Sequence, residues 1–279
     1  MTNEQKVTWL AGFSHFITHG YMTLLPAVLV VIAGEHSLSF TDIGIIASIG
    51  YFLYGLGSFP SGYLADRFGS KRVLTVGVFG MAVSSILVGL SPGAAGFAVT
   101  YALLGIFASI HHPAGLSFIA RRVLTTRGRA LGLHGVLGNV GLFLTPMAAA
   151  FSVMLFGTWR AAYIIFGIIG LGFGMILQSA RIEEEPDFSL RNLLLRSSQP
   201  AIEKQEEQPA NQVESSSPVD AEPSAMSVLP VALLVLYLGS ILSGFIFRGS
   251  LTFFPALLQH EVHFITSHDE PVVMAGFFT

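Results

Sequence analysis

The stretch GYLADRFGSKRVL, residues 62–74, holds Asp66, Arg67, Lys71 and Arg72 within seven positions. Only 11% of the 279-residue chain is charged, so a cluster this dense stands out. It is flanked by two long apolar runs, 43–63 before it and 73–91 after it. A helix needs about 20 mostly apolar residues to cross a bilayer core. The cluster therefore reads as a tight polar loop joining two membrane-spanning helices. Moving outward, five more runs meet the same criterion: 7–33, 95–120, 129–155, 160–180 and 228–257. None of the seven contains Asp or Glu.

The composition agrees. Hydrophobic residues make up 52% of the chain, and the mean hydropathy is +0.66. A soluble domain carries about 25% charged residues, so a water-facing enzyme, a nucleic-acid binder and a disordered regulator are all disfavoured. A net charge of −3 gives no polyanion footprint. The absence of Cys removes disulfide, thiolate-metal and Cys-nucleophile chemistry. No cofactor is expected, and no Gly-x-x-x-x-Gly-Lys nucleotide loop occurs.

Orientation follows the positive-inside rule. Lys6, Arg67, Lys71, Arg72, Arg121, Arg122, Arg127, Arg181, Arg191, Arg196 and Lys204 fall on one side, with Arg129 at the mouth of the fifth span. The other side receives Arg160 alone, among Glu35, Asp42, Glu261, Asp269 and Glu270. The expectation is a multi-pass protein of the cell membrane, in contact with membrane lipid, with its N-terminus inside. Residues 182–225 are rich in Glu, Gln, Ser and Pro and hold few apolar residues, so they read as a disordered cytoplasmic linker. LRNLLLR, 190–196, could form a short interfacial helix within it. The domain plan is thus 1–181, a six-span unit; 182–225, the linker; and 226–279, span seven with the stub of an eighth. The apolar run from Pro271 is too short to span, so the chain reads as truncated.

The 62–74 stretch resembles the G-x-L-x-D-R-x-G-R-K signature of the major facilitator superfamily (MFS) of transporters. The matching residues are Gly62, Leu64, Asp66, Arg67, Gly69 and Lys71, with Ser70 replacing one signature Arg and Arg72 adding charge. TWRAAYIIFGIIG, 158–170, resembles the opening of span six in many members. IHHPAGLSFIARR, 110–122, and HGVLGNVGLFLTP, 134–146, are similar to spans four and five of the fosmidomycin-resistance branch. So is SHFITHGYMTLLP, 14–26, to its first span. The Glu that branch places after His-Pro is Ala114 here, and an Asp of its first span is replaced by His19. The resemblance implies an all-α membrane fold: a six-helix N-terminal bundle of two inverted three-helix repeats, plus the start of a second bundle. It implies a secondary transporter that moves a small molecule by alternating access about a midplane site. The missing C-terminal half would be needed for function. The charged loop would be its conformational switch, Asp66 pairing with Arg67 or with a helix N-terminus.

Ionisable groups inside spans are costly and mark function by default. At about 1.5 Å per residue, His15, His111, His112, His134 and Asn139 all lie roughly 9–16 Å in from the charged side. His15 and His19 are four apart and share a helix face. The candidate substrate or coupling residues are His15, His19, His112, Asn139 and Arg248. Alternatively, the histidines only satisfy neighbouring polar groups, His134 is merely interfacial, and Arg248 snorkels to the surface. The His15–His19 spacing suits a metal, but no carboxylate stands near in sequence, and no metal is expected. Proton coupling would reside in the His15–His19 pair or in the missing half. Gly132, Gly135, Gly138 and Gly141 form a small-residue face in span five, and its similarity to the Gly-rich, Pro-ended fifth span of many antiporters of the family implies export over uptake. Two other classes are weighed. A seven-span receptor would place its N-terminus outside, and an intramembrane histidine enzyme would lack a nucleophile or metal partner. A reporter fused at Ser216 is expected to be active only on the cytoplasmic side; activity only on the outside would overturn the orientation.

Overall fold

The computed structural model describes residues 1–182 and 225–261. Among these residues all regular structure is helical: α1 (Asn3–His36), α2 (Phe40–Phe68), α3 (Ser70–Gly89), α4 (Ala94–Ala108), α5 (His111–Arg122), α6 (Arg127–Phe156), α7 (Trp159–Ser179) and α8 (Ala225–Glu261). Six spans are long and apolar enough to cross a membrane, with α4 and α5 together forming the fourth over Ala94–Arg122. They coincide with the first six apolar runs of the sequence. The seventh run, 228–257, falls within α8. Most of the linker, LRNLLLR and the C-terminal stub lie outside the described residues. Helices α1–α7 and the part of α8 from Ser250 belong to one compact unit, and α8 up to Gly249 belongs to another.

Local signals set the helix ends. Thr2 accepts the Gln5 amide at 3.2 Å while Gln5 accepts the Thr2 amide at 3.0 Å. Ser39 and Asp42 repeat this capping box at the start of α2. Each such cap is worth about 1 kcal/mol. Gly69 joins α2 directly to α3 at φ 91°, a left-handed angle that a side chain disfavours.

In the first unit span one packs on span five (α1 and α6), span three on span six (α3 and α7), and span four lies against both span two and span three. Helix α1 is buried over most of its length, and α2 is exposed over most of its own. Burial of α1 requires its polar groups to be satisfied within protein, because hydrocarbon offers no partners. Thr18 donates to the Ser14 carbonyl at 2.8 Å, and Thr23 donates to Gly20 at 3.0 Å. The exposed face of α2, with Phe52, Leu56 and Phe59, presents apolar surface suited to lipid or to further helices.

The α1–α6 pairing is close because α6 presents glycines. A Cβ on Gly141 would lie 2.3 Å from the Phe16 carbonyl oxygen. The expected four-glycine face is only half used: Gly132 and Gly135 have nothing within 4 Å of a built Cβ. Helical geometry explains it. Each three-residue step falls about 60° short of a full turn, so four such glycines sweep about half the helix circumference.

Span four is broken at Ser109–Ile110. Pro113 has no N–H to give the Ser109 carbonyl, and regular bonding resumes with Ala114 donating to Ile110 at 3.1 Å. The freed Ser109 carbonyl accepts from Ser58 of α2 at 3.4 Å. Gly57 leaves the room, since a Cβ there would meet Ser109 Oγ at 2.3 Å. The break makes His111 and His112 the first residues of α5.

Gly141→Ala is expected to destabilise the protein by about 1–3 kcal/mol through overpacking against α1. Gly132→Ala should be neutral or stabilising by up to about 1 kcal/mol. Thermal unfolding in detergent, compared between the two, checks this; equal melting temperatures would refute the close α1–α6 contact.

Candidate functional site

Three helices converge on a histidine cluster. Helix α1 supplies His15 and His19, α5 supplies His111 and His112, and α6 supplies His134. His15, His111 and His134 are buried, whereas His19 and His112 are partly exposed. The His15 and His134 rings stack at 4.1 Å, and His15 and His111 stack at 5.0 Å. His112 stands edge-on to His15 at 5.0 Å, with the Tyr54 ring of α2 on its other side at 6.1 Å. Gly138 makes the cluster possible. A Cβ there would sit 2.4 Å from His15 Cε1 and Nδ1.

The bonds assign the hydrogens. His15 Nδ1 lies 2.8 Å from the His134 carbonyl oxygen. A carbonyl only accepts, so Nδ1 carries the hydrogen. In a neutral His15, Nε2 is then the acceptor and takes a hydrogen from His19 Nε2, 3.0 Å away. On α5, His111 Nδ1 is 2.9 Å from Ser14 Oγ. Its Nε2 is buried and has no hydrogen-bond partner among the described residues.

The other predicted residues lie elsewhere. Asn139 is exposed on α6, next to Gly138 and outside the cluster. Arg248, on α8, sits over the Phe247 ring at 5.7 Å and is described within its own unit. The cluster itself includes two histidines that the sequence reading did not select. His111 looked like a rival of its neighbour, and His134 looked interfacial. Depth was the available signal, since both fall at the level of His15. An open apolar groove of about 660 Å³ between α2 and Phe253 shares no residue with the cluster.

The charged loop builds a set of cross-links at one end of the bundle. Asp66 pairs with Arg121 of α5 at 2.5 Å, where the sequence suggested Arg67 or a helix N-terminus. Arg67 instead donates to Tyr63, one helical turn earlier, at 2.9 Å and lies over Phe68. Lys71 donates to the last carbonyls of α7, Ala180 at 2.6 Å and Gln178 at 3.1 Å. Its charge complements the negative end of that helix. A Cβ on Gly62 would meet Pro113 only at ordinary contact distance, 3.8 Å, and Arg72 is exposed. Glu4 of α1 accepts from the Leu124 and Thr125 amides and from the Thr125 and Thr126 hydroxyls, pinning the α5–α6 loop. At the opposite end Glu35 of α1 pairs with Arg160 of α7 at 2.5 Å and accepts from Trp159 Nε1 at 2.7 Å. Arg160 also donates to the Ser91 carbonyl at 2.8 Å.

Comparison with known proteins gives the same architecture. The chain is 31% identical over 176 residues to the membrane sensor protein UhpC of Salmonella typhimurium, covering 61% of this chain and 38% of that protein. It is 30% identical over 190 residues to the tetracenomycin C resistance and export protein of Streptomyces glaucescens, covering 63% of this chain and 35% of that protein. The chain thus spans less than half the length of these relatives. Its fold is similar to the inward-facing, unoccupied structure of a bacterial homologue of the human lysosomal transporter Spinster. The TM-score is 0.71 at 15% identity, covering 100% of this chain and 59% of that one. Residues 8–278 match the sequence profile of the Major Facilitator Superfamily. With six membrane-length helices, a broken fourth span and the charged α2–α3 loop in place, the chain belongs to the Major Facilitator Superfamily.

Proposed function

We propose that the chain forms part of a secondary transporter that exports a small molecule by alternating access. The observation that carries this reading is the placement of charged ties at both ends of the six-span unit, with a polar cluster between them. Asp66–Arg121 ties α2 to α5 at one end, and Glu35–Arg160 ties α1 to α7 at the other. Ties on partly exposed groups are weak, about 0.2–1 kcal/mol each. They can be made in one state and broken in the other without unfolding either. In this reading 1–181 is one transporter half, 182–225 a cytoplasmic linker and 226–279 the start of the second half, with the N-terminus inside the cell membrane.

The substrate meets His15, His19, His112 and Asn139 on the six-span unit, and Arg248 of α8 is a further candidate contact. His19 and His112, at the exposed edge of the cluster, make first contact, while His111 and His134 brace His15. Export is supported by the glycine-rich face of α6 and by the export protein among the relatives. The driving ion is the proton. The seven apolar runs hold no Asp or Glu, so the reading assigns the coupling acid to the second half. A second reading follows from the relative named as a sensor: the site binds its small molecule and reports it without moving it.

Reconstituted with both halves in liposomes, the protein is expected to show substrate flux driven by a pH gradient. Saturable binding with no flux in either direction would favour the sensor reading instead. His19→Gln should weaken substrate binding about tenfold, the cost of one lost buried hydrogen bond, with turnover at saturation retained.

Asp66→Asn should do the reverse, lowering turnover about tenfold with affinity unchanged and stability altered by no more than about 1 kcal/mol. Unchanged turnover with weakened affinity would make Asp66 a binding residue rather than part of a switch.

A further inference from the structure

We propose that His15, His111, His112 and His134 form a binding site for a late first-row transition-metal ion, with zinc as the ion best suited to it. The inference goes beyond the transport reading and does not depend on it. One ring nitrogen from each of the four residues lies within 4.8 Å of all the others. Nitrogens around a tetrahedral zinc are about 3.4 Å apart, given Zn–N bonds of about 2.0–2.1 Å. Convergence on an ion comes from side-chain turns, chiefly of His112 and His134, that keep the His15–His134 carbonyl and His111–Ser14 bonds and leave the three helices in place.

Two features go beyond proximity. The first is the way the rings are held. Ligating histidines use their second nitrogen to bond a backbone carbonyl or another polar group, which fixes the tautomer and directs the other nitrogen at the metal. His15 does this through the His134 carbonyl at 2.8 Å, and His111 through Ser14 Oγ at 2.9 Å. In both, Nε2 is the nitrogen not held by the orienting carbonyl or hydroxyl. The second is that His111 Nε2 is buried with no hydrogen-bond partner among the described residues. A buried nitrogen left this way is costly, and a metal ion would satisfy it.

The donor set selects the ion. Four neutral imidazoles exclude calcium and magnesium, which require oxygen ligands. They suit zinc, nickel, copper and cobalt. Zinc, with no d-electron geometric preference, accepts ligands delivered from three helices. No carboxylate lies in this cluster among the described residues, so the ion keeps its full charge. Zinc on His15 Nε2 would displace the His19 hydrogen, and His19 stands outside the group whose nitrogens converge.

The test uses the 279-residue chain in detergent micelles, in a background where His260, His263 and His268 are replaced by Gln to remove binding outside the cluster. Equilibrium dialysis with zinc is expected to give one ion per chain. Cobalt should compete for the site and develop the intense visible bands of tetrahedral nitrogen coordination. His111→Gln with His134→Gln should abolish binding. Ser14→Ala, which frees His111 from its orienting hydroxyl, should weaken it about tenfold. His19→Gln should leave zinc binding intact, whereas it weakens substrate binding in the transport reading, so failures of the two readings are separable. Absence of saturable zinc binding in the background protein overturns the proposal. So does full binding in the variant lacking all four histidines. If the histidine variants do not fold, as judged by helical circular dichroism, the cobalt spectrum of the background protein decides. Tetrahedral nitrogen bands support the site, and a pale octahedral spectrum refutes it.

Discussion

His15 rests against a helix that has no side chain at the point of contact, and much of the six-span unit depends on that. With Gly138 and Gly141 facing α1, the backbones of α1 and α6 come close enough for a side chain of one to bond the main chain of the other. In hydrocarbon there is no hydrophobic force between helices, so association rests on close packing and internal hydrogen bonds. The glycines supply the first and the histidine supplies the second. The same contact sets the stacked rings of His15, His111 and His134 side by side.

The fourth span shows how a single residue type redistributes bonding. Pro113 removes one donor and ends α4 short of α5. The freed carbonyl is taken by Ser58 rather than left in the membrane interior. A broken helix at membrane depth is tolerated only where protein or a cavity covers it. Here the interruption immediately precedes His111 and His112, so the freed carbonyl and the polar cluster lie together.

Charge is handled differently at the two ends. Where the membrane gives way to water, Asp66, Lys71 and Glu4 each reach a group far along the chain: Arg121, the end of α7, and the α5–α6 loop. At the other end Arg160 and Glu35 close α7 onto α1. Trp159, buried beneath, packs on Phe97 and Tyr163 and gives its N–H to Glu35. The Trp-Arg pair that opens span six thus does structural work at this end.

The sequence by itself determined the spans. Hydrocarbon thickness demands about 20 apolar residues per crossing, and that demand is local, so α1–α3, α6 and α7 could be read directly from runs of residues. It also brought out the charged loop, the glycines of span five and the shared depth of the histidines, because these follow from position along a helix of known rise. Rotation about the helix axis and choice of partner were decided only by tertiary structure. Nothing local tells Asp66 to meet Arg121 rather than Arg67. Nor does anything local say that Gly138 and Gly141 are packed while Gly132 and Gly135 are open. His134 looked like an interfacial residue until α6 was laid against α1. These outcomes depend on which faces of two helices meet, and that is settled by complementary shapes supplied by residues far apart in the chain.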